Sequence, residues 1–373
     1  MSQHTFWRHT PLSSGVALGA VAFSLAANSQ LSSPAMPTQL GCSGSNVRDT
    51  SGQYCCEGTL GAMLSDGNKQ YVLSNNHVLG LFGRGSVGDE ISQPGLMDSA
   101  CKPGRTVAKL TLSLPLIATS NSEQIDAAIA EVVAGQLDPS GSIANEGVPG
   151  ALIVAPSRNL RVTKMGRSTG VTTGVITETV LNANIDYSGP CEPDGPSIPL
   201  TNLILIQGDN GKDFSAAGDS GSLVMTLTNH NPVGLLIAGN DQHQSVAHPI
   251  AGVLNSLSSA LGTRLSIVSS QPTRFTASAQ SGGAFSPEFK TLLDAKDQLW
   301  ARLHSLSSIV GIGVSPRSDK PGRFQIVVYV ERGKLSSLGG QQFLGFTIPP
   351  KPIPMNFNGH FVRFIETDRF KAF

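Results

Sequence analysis

A serine lies between two glycines at Gly218-Asp219-Ser220-Gly221, and this stretch limits the chain more than any other. A nucleophilic serine needs a reachable hydroxyl and free N–H groups beside it, because those groups stabilise the oxyanion of the transition state. Glycines permit the tight backbone that this geometry requires. The same residue types also form ordinary turns, so the stretch alone predicts either a turn or a nucleophile.

Two motifs upstream favour the nucleophile. His77 closes an apolar strand over residues 71–74, and Asp126 opens an apolar run over residues 127–130. The order His, Asp, Ser is one of the chain orders of the catalytic triad. The apolar run predicts a buried aspartate, which an orienting carboxylate needs. The other carboxylates that could take this place are Asp89, Glu123 and Asp138.

Asn75-Asn76-His77-Val78, Asp126 and Gly218-Asp219-Ser220-Gly221 together resemble the motifs of the chymotrypsin-like serine proteases over roughly residues 55–258. The resemblance implies a mainly β fold with two six-stranded antiparallel β-barrels. It implies that His77, Asp126 and Ser220 are catalytic, and that the N–H groups of Gly218 and Ser220 form the oxyanion hole. It also implies a polypeptide substrate and neither metal nor cofactor. Ser222 stands where a G-x-S-x-G motif has its second glycine, which argues against an α/β-hydrolase.

Residues 160–176 predict two strands around a glycine turn. Within them, Gly166-Arg167-Ser168-Thr169-Gly170 resembles a stretch of the bacterial α-lytic and streptogrisin-type proteases. The resemblance implies that Arg167 pairs with Asp219 and so forms the oxyanion hole without a cleaved N-terminus. The alternative is an arginine on the surface.

The substrate site is also implied by the resemblance. The strand over residues 233–239 would pair with the substrate backbone, and Ile237, Ala238 and Gly239 would line the pocket for the substrate's P1 residue. Family analogy places either Asp213 or Phe214 at the base of that pocket. The apolar Ile237 and Ala238 favour an uncharged P1 residue.

Composition supports a β-rich chain of more than one domain. The 373 residues include 41 Gly and 23 Pro, and only 14% are charged. Zero net charge gives no overall attraction to nucleic acid. Acidic residues are in excess up to residue 270 and basic residues afterwards, which predicts either docking between the two parts or two solvated surfaces.

Four segments are predicted. Residues 1–40 form a leader and linker whose apolar core, residues 15–27, is of signal-peptide type and too short for a stable membrane span. This favours secretion or the periplasm over the cytoplasm, the alternative being a loosely packed N-terminal helix.

Residues 41–265 form the protease domain, in which prolines predict an irregular loop over residues 182–200. Residues 266–285 form a linker. Residues 286–373 form a small α+β domain, whose helix begins at Ser286-Pro287-Glu288 and which binds substrate, docks on the protease or mediates oligomerisation.

Five cysteines leave at least one unpaired, and their spacing fits no zinc site. Adjacent Cys55 and Cys56 would point to opposite faces of a strand. The pairing is left open by the sequence, although any disulfide is expected to be structural.

Two rival functions follow from the same residues. One is a catalytically silent protease fold that binds peptides or regulates other proteins. The other is a self-limited protease that cuts only its own linker. The complete set of His77, Asp126 and Ser220 argues against the silent fold, whereas a self-limited protease would have the same residues.

Overall fold

The computed structural model describes residues 38–52, 54–119, 123–271, 274–275, 286–338, 342–343, 346–347 and 355–372. Most of the predicted leader, residues 1–37, and the proline-rich residues 349–354 lie outside the described residues. None of the helices within the described ranges has the length and apolarity that a membrane crossing requires.

The first barrel is a closed antiparallel sheet. Its strands are β1 (Ser43–Asn46), β4 (Gly58–Thr59), β5 (Ala62–Ser65), β6 (Gln70–Ser74), β7 (Glu90–Gln93), β8 (Arg105–Ser113) and β9 (Ala128–Val132). β4 and β5 are two parts of one bent strand, so six strands close in the order β1, β4/β5, β6, β9, β8, β7 and back to β1. The short hairpin of β2 (Thr50–Ser51) and β3 (Tyr54–Cys55) leaves its rim.

Local turn chemistry explains the hairpin of β5 and β6. Asp66 Oδ1 accepts hydrogen bonds from the N–H groups of Asn68 (2.8 Å) and Lys69 (2.7 Å). Gly67 has a φ of +96°, which favours glycine. An Asp-Gly turn between apolar runs is a strong hairpin signal, and here the prediction is confirmed.

The second barrel also closes with six antiparallel strands. They are β11 (Arg161–Gly166), β12 (Gly170–Asp186), β13 (Ser197–Gly208), β14 (Leu223–Thr226), β15 (Pro232–Gly239) and β16 (Gln244–Pro249). The order is β11, β14, β15, β16, β13, β12 and back to β11. Its interior holds apolar side chains that include Val162, Ile176, Ile204 and Phe214. The predicted fold of two six-stranded barrels is therefore confirmed.

Residues after the second barrel return to the first. Helix α1 (Ile250–Leu261) packs Val253 and Leu257 into the core of the first barrel. β17 (Ser266–Ile267) then pairs with β5, and β18 (Arg274–Phe275) pairs with β10 (Leu152–Ile153). The predicted linker, residues 266–285, thus contacts both halves at its start, and residues 276–285 lie outside the described part.

The remaining elements form an α+β unit. Its helices are α2 (Pro287–Leu303) and α3 (Leu335–Leu338), and its strands are β19 (Ile309–Pro316), β20 (Phe324–Glu331), β21 (Gln342–Phe343), β22 (Phe346–Thr347), β23 (Met355–Phe357), β24 (His360–Thr367) and β25 (Phe370–Ala372). The Ser286 hydroxyl caps α2 by accepting a hydrogen bond from Phe289 N at 3.2 Å, as predicted. One face of α2 packs through Leu292, Leu299 and Leu303 on β19 and β20.

This unit shares a sheet with the second barrel. β19 pairs antiparallel with β12 at Asn182↔Ile312, and β25 lies between β12 and β15. A buried lysine supports the junction, because Lys296 Nζ donates to Val180 O (2.9 Å) and Asn182 Oδ1 (3.1 Å). The unit therefore docks on the long β12–β13 hairpin.

Candidate active site

His77 is held at the end of β6 by the two asparagines before it. Asn75 Nδ2 donates to Asp126 O, and Asn76 Nδ2 donates to Leu114 O, both at 2.7 Å. Residues 76–80 then form a tight turn. The His77 N–H donates to Asp126 Oδ1 at 3.1 Å, and His77 Nδ1 lies 2.5 Å from Asp126 Oδ2. The sequence-predicted histidine and aspartate are therefore in direct contact.

Asp126 is completely buried and accepts a further hydrogen bond from Tyr187 Oη at 2.9 Å. Burial favours the neutral carboxyl group, but the charge and hydrogen bonds of His77 outweigh it, so the pKa of Asp126 lies below its usual value. A carboxylate with these donors fixes the ring orientation of His77 and stabilises its protonated form.

His248 supports the same aspartate from behind. Its Nε2 accepts a hydrogen bond from Asp126 N at 2.9 Å. Burial lowers the pKa of His248 to about 4, so the ring is neutral near pH 7 and can accept. Asp126 is thus held through its backbone as well as its side chain.

Ser220 lies on the loop between β13 and β14. The φ angles of Gly218 (+95°) and Gly221 (+94°) fall where glycine is favoured. Ser220 Oγ donates to Ile237 O at 2.7 Å, and the serine is 1% exposed. Within the described part of the chain, the N–H groups of Gly218 and Ser220 have no hydrogen-bond acceptor. Two donors beside the serine are what an oxyanion hole requires.

The serine loop and the histidine turn both pack against Gly58. A Cβ at Gly58 would lie 2.5 Å from Val78 Cγ2 and 2.9 Å from Ser220 O. The Thr59 N–H also donates to Ser220 O at 2.8 Å. The bent strand of the first barrel therefore carries the serine loop of the second barrel to the histidine.

Lys164, rather than Arg167, is the cation beside Asp219. Lys164 Nζ lies 3.3 Å from Asp219 Oδ2, and both side chains are fully buried. Asp219 also accepts hydrogen bonds from Ser168 N (2.7 Å) and Thr169 Oγ1 (2.6 Å). These contacts hold the loop that presents Gly218 and Ser220.

The expected pairing of Arg167 with Asp219 is therefore corrected. Arg167 forms ion pairs with Glu57 and Asp98. The physical reason is position: Lys164 lies on the face of β11 that points into the barrel, whereas Arg167 lies in the turn after β11. Arg167 still packs on the site, because a Cβ at Gly218 would lie 3.1 Å from Arg167 Cδ.

The two candidates for the base of the P1 pocket, Asp213 and Phe214, have different surroundings. Phe214 is buried in the interior of the second barrel, where its ring lies 5.9 Å from Lys164 Nζ. Asp213 is half exposed and pairs with His243 Nδ1 at 2.6 Å. Ser215, which follows Phe214, has its hydroxyl 2.7 Å from that of Ser245. Ser245 pairs in register with Gly239. The buried strand residues Ile237, Ala238 and Gly239 lie on β15 as expected.

Two disulfides connect the cysteines. Cys55 pairs with Cys101 within the first barrel, and Cys56 pairs with Cys191 in the loop between β12 and β13. Cys42 is buried and free, and burial raises the pKa of its thiol to about 12, so it is not a nucleophile near neutral pH. In the described ranges, no group of three or more potential ligands is arranged to hold a metal ion.

Known proteins resemble parts of this arrangement. The family described as the Nal1 C-terminal domain matches residues 153–259. A glutamic acid specific serine protease is 18% identical, covers 62% of this chain and 100% of its own, and has a TM-score of 0.41. Thermobifida fusca protease A is 18% identical, with 62% and 98% covered and a TM-score of 0.40. Cellulomonas bogoriensis chymotrypsin is 18% identical, with 61% and 97% covered and a TM-score of 0.39. No curated protein matches the chain.

The fold is that of the chymotrypsin-like serine proteases. Two closed six-stranded barrels meet where the His77 and Ser220 motifs lie, and this strand order is what establishes the chymotrypsin-like fold. Within this fold, Tyr187, His248 and Lys164 are the site residues that sequence reasoning missed. A signal existed for Lys164 alone, since it shares one face of a barrel strand with Val162 and Gly166.

Proposed function

We propose that this chain is a serine endopeptidase. The observation that carries the proposal is the contact of His77 with a buried, hydrogen-bonded Asp126. The turn of this histidine and the loop of Ser220 both pack against Gly58, and the N–H groups of Gly218 and Ser220 have no acceptor among the residues that the structure describes. This set of groups supplies a base, its orienting carboxylate, a nucleophile and an oxyanion hole.

The mechanism follows from these roles. Ser220 Oγ attacks the carbonyl carbon of the scissile peptide, and its proton passes to His77 Nε2. Asp126 keeps the other ring nitrogen protonated, so that Nε2 carries the lone pair that accepts the proton. The N–H groups of Gly218 and Ser220 stabilise the oxyanion. His77 then gives its proton to the leaving amine, the C–N bond breaks, and water hydrolyses the acyl-enzyme by the same steps in reverse roles.

The substrate's P1 residue is proposed to be uncharged. The proposed wall of the pocket is the apolar stretch from Ile237 to Gly239 on β15. Ser245, which pairs with Gly239, carries a neutral hydroxyl that is hydrogen-bonded to that of Ser215. A positional-scanning peptide library tests this directly. Preference for Lys, Arg, Asp or Glu at P1 would contradict it.

A fluorophosphonate probe tests the proposed function. Mass spectrometry should find the probe on Ser220 of the wild-type chain, and the Ser220→Ala variant should not react. His77→Ala should lower the rate of labelling at least about 10³-fold, because the serine loses its base. A folded chain that never reacts at high probe concentration, even when the terminal strand β25 has been displaced from β15, would show that the site is silent.

The silent, peptide-binding alternative has one observation in its favour. Ser220 Oγ donates to Ile237 O and the residue is 1% exposed. The labelling experiment separates the two functions, because a silent site binds peptides without reacting at Ser220.

A further inference from the structure

The strand β25 lies where a substrate of the proposed protease would bind. It pairs antiparallel with β15 at Gly239↔Lys371 and Ala238↔Ala372. On its other side it pairs parallel with β12 at Ile185↔Phe370 and Asp186↔Lys371. We call the space between Ile185–Asp186 of β12 and Ala238–Gly239 of β15 the acceptor gap.

The direction of β25 is the one that a substrate needs. Ser220 Oγ lies 2.7 Å from Ile237 O, so the part of β15 at Ile237 is beside the hydroxyl that would attack a substrate. A peptide that reaches this point antiparallel to β15 passes Gly239 first and Ala238 next. β25 follows this course, with Lys371 opposite Gly239 and Ala372 opposite Ala238.

One side chain anchors β25. Phe370 is 1% exposed and packs in an apolar cluster with Ile185, Tyr187 and Ile237. The side chain of Lys371 points to solvent instead. The acceptor gap therefore binds backbone groups and one aromatic side chain. When a strand is added to a sheet, main-chain hydrogen bonds usually provide affinity and side-chain pockets provide specificity.

The rest of the attachment is weak. The turn before β25 is held by ion pairs of Arg332 with Asp368 (3.0 Å) and of Arg369 with Glu331 (2.8 Å). All four side chains are partly or largely exposed, and such pairs contribute little because water and salt screen them. A strand of three residues with one buried anchor can be displaced by a competing peptide.

The two side chains that would react have little exposure to solvent. Ser220 is 1% exposed and the His77 side chain is 7% exposed. We propose that the acceptor gap is a binding site for an extended peptide with an aromatic anchor, and that β25 is its resident occupant. If the proposed function holds, other polypeptides are cut only after they displace β25.

Peptide binding tests the proposal without any chemistry at Ser220. Proline lacks an N–H and is not accommodated between two paired strands, so Lys371→Pro should empty the gap. A fluorescent peptide with the sequence of residues 367–372 should bind this variant at least about ten-fold more tightly than the wild-type chain. Lys371→Ala, which keeps the backbone donor and loses only an exposed side chain, should behave as wild type. Phe370→Ala is the second variant and should also bind the peptide more tightly than wild type.

The same variants test the consequence for the serine. Fluorophosphonate labelling of Ser220 should be at least about ten-fold faster in Lys371→Pro than in Lys371→Ala. Equal affinity of the peptide for the wild-type chain, Lys371→Pro and Phe370→Ala would overturn the inference. If the peptide binds as expected but no variant reacts with the probe, the proposed function fails and the binding site stands. If all chains react at one rate and bind the peptide equally, the proposed function stands and the inference fails.

Hydrogen exchange in the wild-type chain tests the inference even if the variants do not fold. The amides of β25 lie between two strands, so they should exchange at least about 100-fold more slowly than in a free peptide. Exchange of the Lys371 and Ala372 amides at the free-peptide rate would overturn the inference by itself.

Discussion

Tyr187 gives Asp126 a hydrogen bond from outside the three sequence motifs. Its hydroxyl donates to Asp126 Oδ2, the same oxygen that contacts His77 Nδ1. The tyrosine ring also packs edge-on against His77, with 5.6 Å between ring centroids. Tyr187 therefore contacts both the carboxylate and the imidazole.

Tyr187→Phe should keep the fold and lower catalysis. A hydrogen bond to a charged group contributes about 1.5–3 kcal/mol, so kcat should fall roughly 10- to 100-fold with KM little changed. Loss of the donor also raises the pKa of Asp126, so the acid limb of the kcat profile should move. Tyr54→Phe is a matched control, because Tyr54 lies in the rim hairpin. An unchanged kcat and pH profile would show that the hydroxyl has no positioning role.

Lys164 and Arg167 can be separated by paired variants. Lys164→Met leaves the buried Asp219 without its cation, and breaking a buried ion pair costs about 3–5 kcal/mol. The loss should appear in urea unfolding and in a much slower labelling of Ser220. Arg167→Met should have the smaller effect on labelling, because Arg167 does not pair with Asp219. The reverse ranking would restore Arg167 as the partner of Asp219.

The β12–β13 hairpin is the element that joins the barrels to the α+β unit. Tyr329 Oη donates to Glu178 of β12 inside the junction. Burial raises the pKa of Glu178 to about 7. Because the folded pKa lies above the usual 4.5, the folded state binds more protons between about pH 4.5 and 7. The junction therefore gains stability as the pH falls through this window.

Glu178→Gln should remove this pH dependence. The wild-type chain should be less stable at pH 8 than at pH 5.5 by about 2 kcal/mol from this group, whereas the variant should lack that contribution. Thermal unfolding of both chains at the two pH values measures the difference. Parallel curves of stability against pH for the two chains would contradict the assignment to Glu178.

Elements with local signals were predictable from the sequence. The Asp66-Gly67 turn and the Ser286 cap depend on neighbouring residues, and both are confirmed. The prediction of an irregular loop over residues 182–200 was wrong, because β12 continues to Asp186 and β13 begins at Ser197. The prolines that suggested the loop lie mainly at the hairpin tip, and Pro199 pairs with Asn184 within the ladder.

Elements and contacts that depend on distant partners were not predictable. β25 has three residues, and its partners on β12 and β15 lie far away in the sequence. The choice of Lys164 over Arg167 depends on which side chain points into the barrel. Tyr187 reaches Asp126 only because the long hairpin brings its tip to the first barrel.

At the scale of the whole molecule, the two barrels meet through glycine. A Cβ at Gly61 would lie 1.8 Å from Gly221 O, and a Cβ at Gly221 would lie 2.0 Å from Ser74 Oγ. Any side chain at either position would push the barrels apart. Such a change would move Ser220 relative to His77, since each motif belongs to a different barrel.

The two disulfides should have different effects on catalysis. The double variants Cys55→Ser/Cys101→Ser and Cys56→Ser/Cys191→Ser should each lose about 2–4 kcal/mol of stability. Only the second removes a bond to the loop that carries Tyr187, so only it should slow the labelling of Ser220. Equal labelling rates in the two double variants would show that the loop needs no covalent anchor.

The bond between Cys56 and Cys191 also supports the loop of Tyr187 when a peptide takes the place of β25. Tyr187 directly follows Asp186, which pairs with Lys371, so a departing strand would free one neighbour of the tyrosine. The sulfur bridge ties the far side of the same loop to the first barrel and does not depend on β25. A cell compartment that reduces thiols would remove this second support of Tyr187, whereas an oxidising compartment would preserve it.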